Sequence, residues 1–409
     1  MRAINWLKRL RQSERGNALV IGALSMPLLL GGAAFAVDTI QFTLFKRQLQ
    51  RAADSTAVAA AYAMTQDKDA HTAGHRDLDE NYFPTLAEAE SITPGAFLGF
   101  DQAVQVRLRA ERSLPFMSIF TKAATNITAE ATAAVIQSGR FCVLSLYDGT
   151  EPGIDVNGNA DLNLGCGMAT NSRATEAVTA GGSSTVTASP ILSAGGLKGA
   201  GNNFKAGTVL QPYAATQSDP FADVPDPVLP SDCSATVDVG PNDPAITIQS
   251  GCYSSVSIKG GATIADGAVI MVKNGDIGFG SQANVTGTNV TFILTGDNGN
   301  AGKVDWNGQA TLNLTAPTTG DYAEILFYRD RRAPNVEQKI NGGASAVLRG
   351  AFYFPSSDIE FTGNAGFQTS CLQMVGQIIR FRGTAEINNT CSLGGNLGGF
   401  ELKYVKLVG

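Results

Sequence analysis

A stretch of 21 consecutive residues without a charged side chain, from Asn17 to Val37, most constrains what this chain can fold into. As an α-helix at ~1.5 Å per residue it is about 31 Å long, which matches the hydrocarbon core of a bilayer. Residues 1–15 carry five cations and one acid, and an aspartate, Asp38, follows the stretch directly. This excess of positive charge predicts a cytoplasmic N-terminus, with everything after the span lying outside.

A cleaved secretory signal is the alternative interpretation of the same stretch. The basic N-terminus and the small-residue sequence Ala34-Phe35-Ala36 fit a signal-peptidase site before Val37. The apolar run is longer than the ~7–15 residues of a typical signal peptide, and its helical pattern continues past the cleavage position. We therefore expect a retained single-pass anchor.

An amphipathic helix is predicted to continue out of the span, so that residues 16–64 form one element. Its apolar and small positions recur at intervals of three and four residues, which is the spacing of one helix face. These positions are Ile40, Leu44, Phe45, Leu49, Ala52, Ala53, Thr56 and Ala60. Two uses of this face remain open: packing on the chain's own next domain, or packing against helices of other subunits.

A small α+β domain is predicted over residues 65–140. The polar residues 65–100 are expected to form a surface loop. Alternating apolar residues predict strands over Asp101–Glu111 and Asn126–Gln137, and Leu114–Phe120 between them predicts a short helix.

The chain reads RGNALVIGALSMPLLLGGAAFAVD through the span, and RQLQRAADSTAVAAA along the helix that follows. These residues resemble the N-terminus of the TadE/TadG-like family of the bacterial tight-adherence (Tad, Flp or type IVc) pilus system. The segment around Leu114-Pro115-Phe116 is similar to the family's membrane-proximal continuation. The motif positions are Arg15, Gly16, Pro27, Asp38, Leu49, Gln50 and Asp54.

The resemblance implies a bacterial inner-membrane protein with a cytoplasmic N-terminus and a periplasmic body. It implies pilin-like and Tad assembly-platform proteins as partners of the N-terminal helix, beside the lipid bilayer and outer-membrane components. Processed pilins are cleaved after a glycine and carry Glu five residues later, whereas here Gly16 is followed at that distance by Ile21. This departure favours a pseudopilin-like assembly component over a subunit of the pilus shaft.

Residues 141–409 contain an internal repeat, apolar-x-Gly-x-Ala-x-apolar. It occurs at 156–162, 258–264, 279–285 (Ser for Gly), 306–312, 340–346, 361–367 and 381–387. From residue 260 onward the repeats follow at intervals of 21, 27, 34, 21 and 20 residues. Periods near 20 with short strands predict a right-handed parallel β-helix, so the protein should be mainly β. A twisted β-sandwich, with less regular repeats, is the alternative.

All cysteines lie in this second half: Cys142, Cys166, Cys233, Cys252, Cys371 and Cys391. An even number in an exported region predicts disulfides formed in an oxidising compartment. The neighbouring pairs 142–166, 233–252 and 371–391 are the simplest of the fifteen connectivities.

The sequence predicts no catalytic, metal or cofactor site. Some parallel β-helices are polysaccharide lyases, and the candidates for such chemistry are Asp321, Glu324, Arg329, Asp330, Arg331 and Arg332. They surround a strand end and are expected to form a solvated loop or a partner-binding patch. The only histidines, His71 and His75, have no third ligand in reach and lie outside the predicted β-helix. Nor does any phosphate-binding or dinucleotide fingerprint occur.

With a net charge of −6, nothing in the composition suggests nucleic-acid binding. We therefore expect a non-enzymatic, membrane-anchored structural component of a Tad pilus machine, with a scaffolding or docking role in the periplasm. The alternatives are an anchored β-helix that binds or cleaves carbohydrate, and a cell-surface adhesin.

Overall fold

The computed structural model describes residues 17–66, 68–80, 89–120, 124–297, 300–342, 346–363, 366–369, 372–389 and 400–409. The chain divides into two compact units. The first comprises Met1–Ile136 with Val405–Gly409, and the second comprises Gln137–Tyr404. The motif residues Arg15 and Gly16, the predicted cytoplasmic segment 1–15, and the cysteines Cys371 and Cys391 lie outside the described residues.

The first unit begins with a single long helix, α1 (Asn17–Thr65), which contains Pro27. Its C-terminal half buries a row of small side chains, Ala52, Ala53, Ala57, Ala60 and Ala61, each at most 2% exposed. Because alanine side chains are short, the helix axis can approach a sheet closely along this row. The predicted long N-terminal helix is confirmed.

An antiparallel sheet covers that row. Its strands are β1 (Ala89–Phe97), β2 (Phe100–Arg112) and β3 (Thr125–Ser145), with β2 between the other two. The hairpin turn uses Leu98 and Gly99, both at positive φ, as tight two-residue hairpins require. Alternate residues of β2 and β3 face α1 and complete a core with Leu49 and Ile92.

Two short helices complete the first unit: α2 (Ala70–Glu80) and α3 (Met117–Phe120). The prediction of a surface loop over 65–100 is wrong, because these residues hold α2 and β1. Gly74 allows α2 to lie against the sheet, since a Cβ there would sit 2.8 Å from Cδ1 of Ile92.

The C-terminus also differs from the assignment of 141–409 to one domain, because Val405–Gly409 belongs to the first unit. The amide of Val408 donates to the carbonyl of Thr132 at 2.8 Å, which satisfies the open edge of β3.

The second unit is a parallel β-solenoid of about 10 turns, which confirms the predicted β-helix. Its strands are the end of β3 from residue 141 onward, β4 (Ile154–Val156), β5 (Asp161–Asn163), β6 (Gly167–Thr170), β7 (Val178–Ala180), β8 (Thr185–Thr187), β9 (Ile191–Ser193), β10 (Leu197–Gly199), β11 (Leu210–Gln211), β12 (Ala235–Val239), β13 (Ile246–Ile248), β14 (Gly251–Ile258), β15 (Gly261–Ile264), β16 (Val269–Lys273), β17 (Ile277–Phe279), β18 (Asn284–Gly287), β19 (Thr291–Thr295), β20 (Val304–Trp306), β21 (Thr311–Thr315), β22 (Ile325–Arg329), β23 (Gln338–Gly342), β24 (Ala346–Phe354), β25 (Ile359–Gly363), β26 (Gly366–Thr369), β27 (Leu372–Gly376), β28 (Ile379–Phe381) and β29 (Glu386–Asn389). The last strand, β30 (Phe400–Leu407), ends in the part of the chain that belongs to the first unit.

The strands stack into three faces. The first face has the order β14, β16, β19, β22, β24, β27, β3, β6, β9, β11. The second has the order β12, β14, β17, β20, β23, β25, β28, β4, β7, β10. The third is formed by β13, β15, β18, β21 and β24, and by β26, β29, β5 and β8.

The stacking order is not the chain order. The first repeat of the sequence lies on the last one, since β4 pairs with β28 and β5 pairs with β29. The chain therefore joins the solenoid near its middle. Residues 141–211 wind to one end, and residues 235–389 start at the other end and wind back to the point where the chain came in.

Residues 214–232, which we call the strap, connect the two ends of the solenoid. The strap covers the outer side of the first face, where Phe221 and Val224 pack on outward-pointing side chains such as Tyr328 and Tyr353. This arrangement buries a second apolar layer outside the solenoid's interior core.

The repeat marks the corner between the second and third faces. Gly158 has φ +83, and a Cβ there would lie 2.7 Å from the backbone oxygen of Gly383 in the neighbouring turn. Only glycine satisfies both conditions without strain. The alanine and the flanking apolar residues of the same repeat, Ala160, Val156 and Leu162, are fully buried in the interior.

Two disulfides join neighbouring turns of the solenoid. They are Cys142–Cys166 and Cys233–Cys252, with Cα–Cα distances of 5.9 and 4.6 Å. Both are among the three neighbouring pairs that the sequence suggests.

Candidate functional site

The N-terminal half of α1 presents an uncovered apolar surface, which we call the free half (Val20–Leu44). Ile21, Leu24, Leu28 and Phe35 are 66%, 71%, 78% and 74% exposed. Within the described residues, α1 is the one helix long and apolar enough to cross a membrane, and none of its most apolar window is buried. A single helix of this kind near the N-terminus serves as an anchor or as a signal sequence.

The apolar face of α1 divides between two environments. Leu49, Ala53 and Thr56 are buried against the chain's own sheet, whereas Ile40 and Leu44 remain 59% and 53% exposed. The first of the two possibilities, packing on the chain's own domain, therefore holds from Leu49 onward. The surface available to another molecule lies before that point.

Asp38 connects the free half to the sheet. Its side chain is 8% exposed, and its two carboxylate oxygens accept hydrogen bonds from the amides of Phe116 and Met117 at 3.1 and 2.7 Å. These are the amides that open α3, and a carboxylate is a favourable acceptor at a helix start. The aspartate thereby fixes the β2–β3 connection to the helix at the end of the apolar run.

Gln50 and Asp54 attach α1 to the sheet at a second point, closer to the C-terminal end of the helix than Asp38. Nε2 of Gln50 donates to the carboxylate of Asp54 at 2.9 Å and to the backbone oxygen of Glu130 in β3 at 2.8 Å. Four of the motif residues are therefore engaged inside the first unit: Asp38, Leu49, Gln50 and Asp54. Pro27 lies in the free half, where the helix continues through it.

The two histidines of the sequence are neighbours on α2. His71 and His75 lie one turn apart on α2 with their Nε2 atoms 3.3 Å apart, and both are exposed. Among the described residues, no group of three or more His, Cys, Asp or Glu side chains comes together.

The prediction of a solvated loop at the end of β22 is wrong for Arg329 and Asp330, whereas Arg332 is 52% exposed. Arg329 is fully buried and donates to the carbonyls of Ala301 and Gly302, both at 2.9 Å, and to the hydroxyl of Ser357 at 2.8 Å. Its side chain thus supplies donors to loop carbonyls of neighbouring turns. Burial lowers the pKa of Arg329 from its ordinary value.

Asp330 is also fully buried, with Arg332 at 2.6 Å and the hydroxyl of Thr295 at 2.8 Å. Burial alone raises a carboxyl pKa. Here the bonds from Arg332 and Thr295 outweigh it, so the pKa of Asp330 lies below its usual value. The hydrogen bonds from Arg332 and Thr295 therefore favour the charged form of this carboxylate.

Arg331 holds the strap. It donates to the backbone oxygens of Ala222 and Val224, each at 2.8 Å, and of Phe221 at 3.3 Å. It also forms an ion pair with Asp226 at 3.3 Å. This arginine, which was expected to bind a partner protein, therefore binds a segment of its own chain.

Tyrosines of the first face hold the strap at two further points. The hydroxyl of Tyr353 donates to Asp219 at 2.7 Å, and its ring meets that of Phe221 edge-on. Burial, followed by the charge of Asp219, raises the pKa of Tyr353. Burial raises the pKa of Tyr322, whose hydroxyl faces the strap, to about 12.

A groove of about 610 Å³ lies on the second face of the solenoid. Its two carboxylates are both paired, Asp155 with Arg382 at 2.6 Å and Glu176 with Lys198 at 2.7 Å. These pairs link adjacent turns, because β4 is stacked on β28 and β7 is stacked on β10.

Comparison with known proteins supports the resemblance at the N-terminus. Residues 16–63 match the family model described as putative Flp pilus-assembly TadE/G-like. No curated protein and no solved structure matches the chain. The chain therefore carries a TadE/G-like region that coincides with α1, followed by a β-solenoid.

Proposed function

We propose that this protein is a membrane-anchored, pseudopilin-like structural component of a Flp pilus assembly machine, with its body in the periplasm. The TadE/G-like match over residues 16–63 supports the association with Flp pilus assembly. The charge-free run and the cations ahead of it support an inner-membrane anchor with a cytoplasmic N-terminus.

The single observation that carries this proposal is the division of α1 into an exposed apolar part and a covered part. From Leu49 onward the helix is covered by the chain's own sheet, and Gln50 and Asp54 hold it there. From Val20 to Val37 the helix has no buried residue and no charged side chain, as suits a helix in lipid. The free half is thus available for lateral pairing with pilin-like helices or with the assembly platform.

The solenoid acts as a rigid spacer or docking body in this proposal. Its turns are joined by ladder hydrogen bonds, two disulfides and the strap. A structure connected in this way transmits position with little bending.

We further propose that the role is non-enzymatic. The residues that would carry lyase-like chemistry, Arg329, Asp330 and Arg331, are committed to internal partners. A carbohydrate-binding role and an adhesin role are the alternatives. Purified protein incubated with acidic polysaccharides should release no product.

Site-specific photocrosslinking tests the proposal. A photoreactive amino acid at Leu28, in the free half, should capture pilin-like or platform proteins of the Flp system in living cells. The matched control is Leu98, which is similarly exposed at 65% but lies on the β1–β2 turn. Capture of no Flp protein from Leu28, or the same captured set from both positions, would contradict the proposal.

A further inference from the structure

The connection between β2 and β3 forms an uncharged apolar segment, Leu114–Phe120, which we call the apolar turn. Leu114 is buried and anchors it in the unit, whereas Phe116, Met117 and Ile119 are 39%, 46% and 72% exposed. Three large apolar side chains exposed within four residues form a patch, and such patches on a protein indicate a contact surface.

Asp38 sets the level of the apolar turn along α1. It is the first charged residue after the 21-residue run, and it binds the amides of Phe116 and Met117 directly. One residue of helix advances ~1.5 Å along the axis. The polar interface on each side of a bilayer's hydrocarbon core is about 5–7 Å thick. The apolar turn therefore lies at the depth where the span leaves the hydrocarbon.

One end of the first unit lies near the position of Asp38 along α1, and the other end lies far from it. The guanidinium of Arg112, at the end of β2, lies 4.2 Å from the ring of Phe45 on α1. From there the chain continues toward Asp38, about 10 Å nearer the span along the helix. The opposite end of β2, next to Leu98, is about 41 Å away along the strand at ~3.4 Å per residue.

We propose that the apolar turn inserts into the outer leaflet of the membrane that α1 spans, with Phe116, Met117 and Ile119 as the inserted side chains. The occupant of this surface is lipid, because the turn shares its level with the exposed apolar residues Phe35 and Val37 of the span. The one acid there, Asp38, is covered. This inference rests on the proposed membrane anchoring by α1.

Insertion at a second point has a mechanical consequence. A single helix leaves a periplasmic domain free to rotate about the helix axis and to tilt. A helix with an inserted turn beside it fixes both motions. The sheet and the chain that leaves it at β3 would then keep a constant orientation to the membrane plane.

Quenching of tryptophan by brominated lipid tests the insertion. The full chain with Trp6→Phe is placed in vesicles of phosphatidylethanolamine and phosphatidylglycerol at 3:1, containing phosphatidylcholine brominated in its acyl chains. Single variants Ile119→Trp, Leu98→Trp and Leu29→Trp report on the turn, the distal hairpin and the span. The remaining native Trp306 is fully buried in the solenoid and gives a constant background.

The proposal predicts that brominated lipid removes at least about half of the added emission at positions 29 and 119, where burial of several ångströms is expected, and leaves position 98 unchanged. Because position 119 is 72% exposed, tryptophan there does not threaten folding. Quenching at 29 without quenching at 119 would overturn the insertion and leave the anchor intact. Quenching at neither would overturn the anchor and the insertion together. Protection of 119 from aqueous iodide without lipid quenching would indicate a protein partner and also overturn the proposal.

Discussion

Replacing Arg331 by methionine should release the strap from the first face while the solenoid stays folded. Methionine keeps most of the side-chain length and removes the charge and the donors. The wild-type guanidinium makes two 2.8 Å bonds to strap carbonyls, a longer one to Phe221, and the ion pair with Asp226.

The magnitude follows from those contacts. Hydrogen bonds from charged groups contribute ~1.5–3 kcal/mol each. The side chain of Arg331 is 28% exposed, so we take the low value for the two short bonds and nothing for the half-exposed ion pair. The loss is about 3 kcal/mol of local stability, or roughly 10²-fold in the opening equilibrium.

Amide hydrogen exchange over residues 217–226 measures this opening. In the R331M variant these amides should exchange roughly 10²-fold faster, while those of β24 and β27 should change little. Arg173→Met is the matched control, because Arg173 is 66% exposed and pairs at 3.6 Å with Asp148, a residue outside the strap. Strap exchange within twofold of wild type in R331M would refute the assignment of Arg331 as the strap's clamp.

Three further predictions concern the solenoid. Gly158→Ala should lower stability by about 2 kcal/mol, from its positive φ and the close carbonyl, whereas Gly201→Ala should be neutral because nothing lies within 4 Å of that Cβ; calorimetry of both checks this. The pKa of Asp330 is depressed below the unfolded value of 3.8, so its stabilisation is present above about pH 3.8 and is lost as the pH falls through the folded pKa. The Tm difference between wild type and Asp330→Asn, followed by circular dichroism, should therefore be largest above pH 4 and shrink below it. Converting Cys233 and Cys252 together to serine should cost about 3 kcal/mol at the first turn of the solenoid, seen as faster exchange in β12.

The long helix and the β-helix could be predicted because each has a simple sequence signal. The helix follows from an uninterrupted apolar run and a three-and-four spacing, and the solenoid from a repeat whose glycine is required at a corner. Gly158 shows why the second signal is strong, since its conformation and its close neighbour both exclude a side chain.

The order of the turns could not be predicted in the same way. Every repeat has similar interior residues. The sequence of the repeat at 156–162 therefore does not show which other repeat, such as the one at 381–387, it stacks on. The stacking order depends on the strap, which is long enough to carry the chain from one end of the solenoid to the other. That length carries no periodic signal.

The burial of Arg329 and Asp330 could not be predicted from the sequence, because charged residues usually face solvent. Arg329 is buried because loop carbonyls of adjacent turns need donors, and Asp330 is buried because it accepts from Arg332 and Thr295. These partners come together only after the turns have stacked. The helix α2 and the strand β1 were missed for a related reason. Their residues are polar enough to resemble a loop, and they are ordered by packing of Ala70 and Ile92 on α1.

In the proposed function, the free half of α1 engages other helices of a pilus machine and does not serve only as an anchor. The most direct test replaces residues 20–37 with an unrelated apolar sequence of equal length and hydropathy, and keeps Asp38, Leu49, Gln50 and Asp54. Cells are fractionated, and Flp pili are counted by electron microscopy. We expect the variant to remain an intact inner-membrane protein while pilus numbers fall to those of a deletion strain. Wild-type pilus numbers with the exchanged span would contradict it.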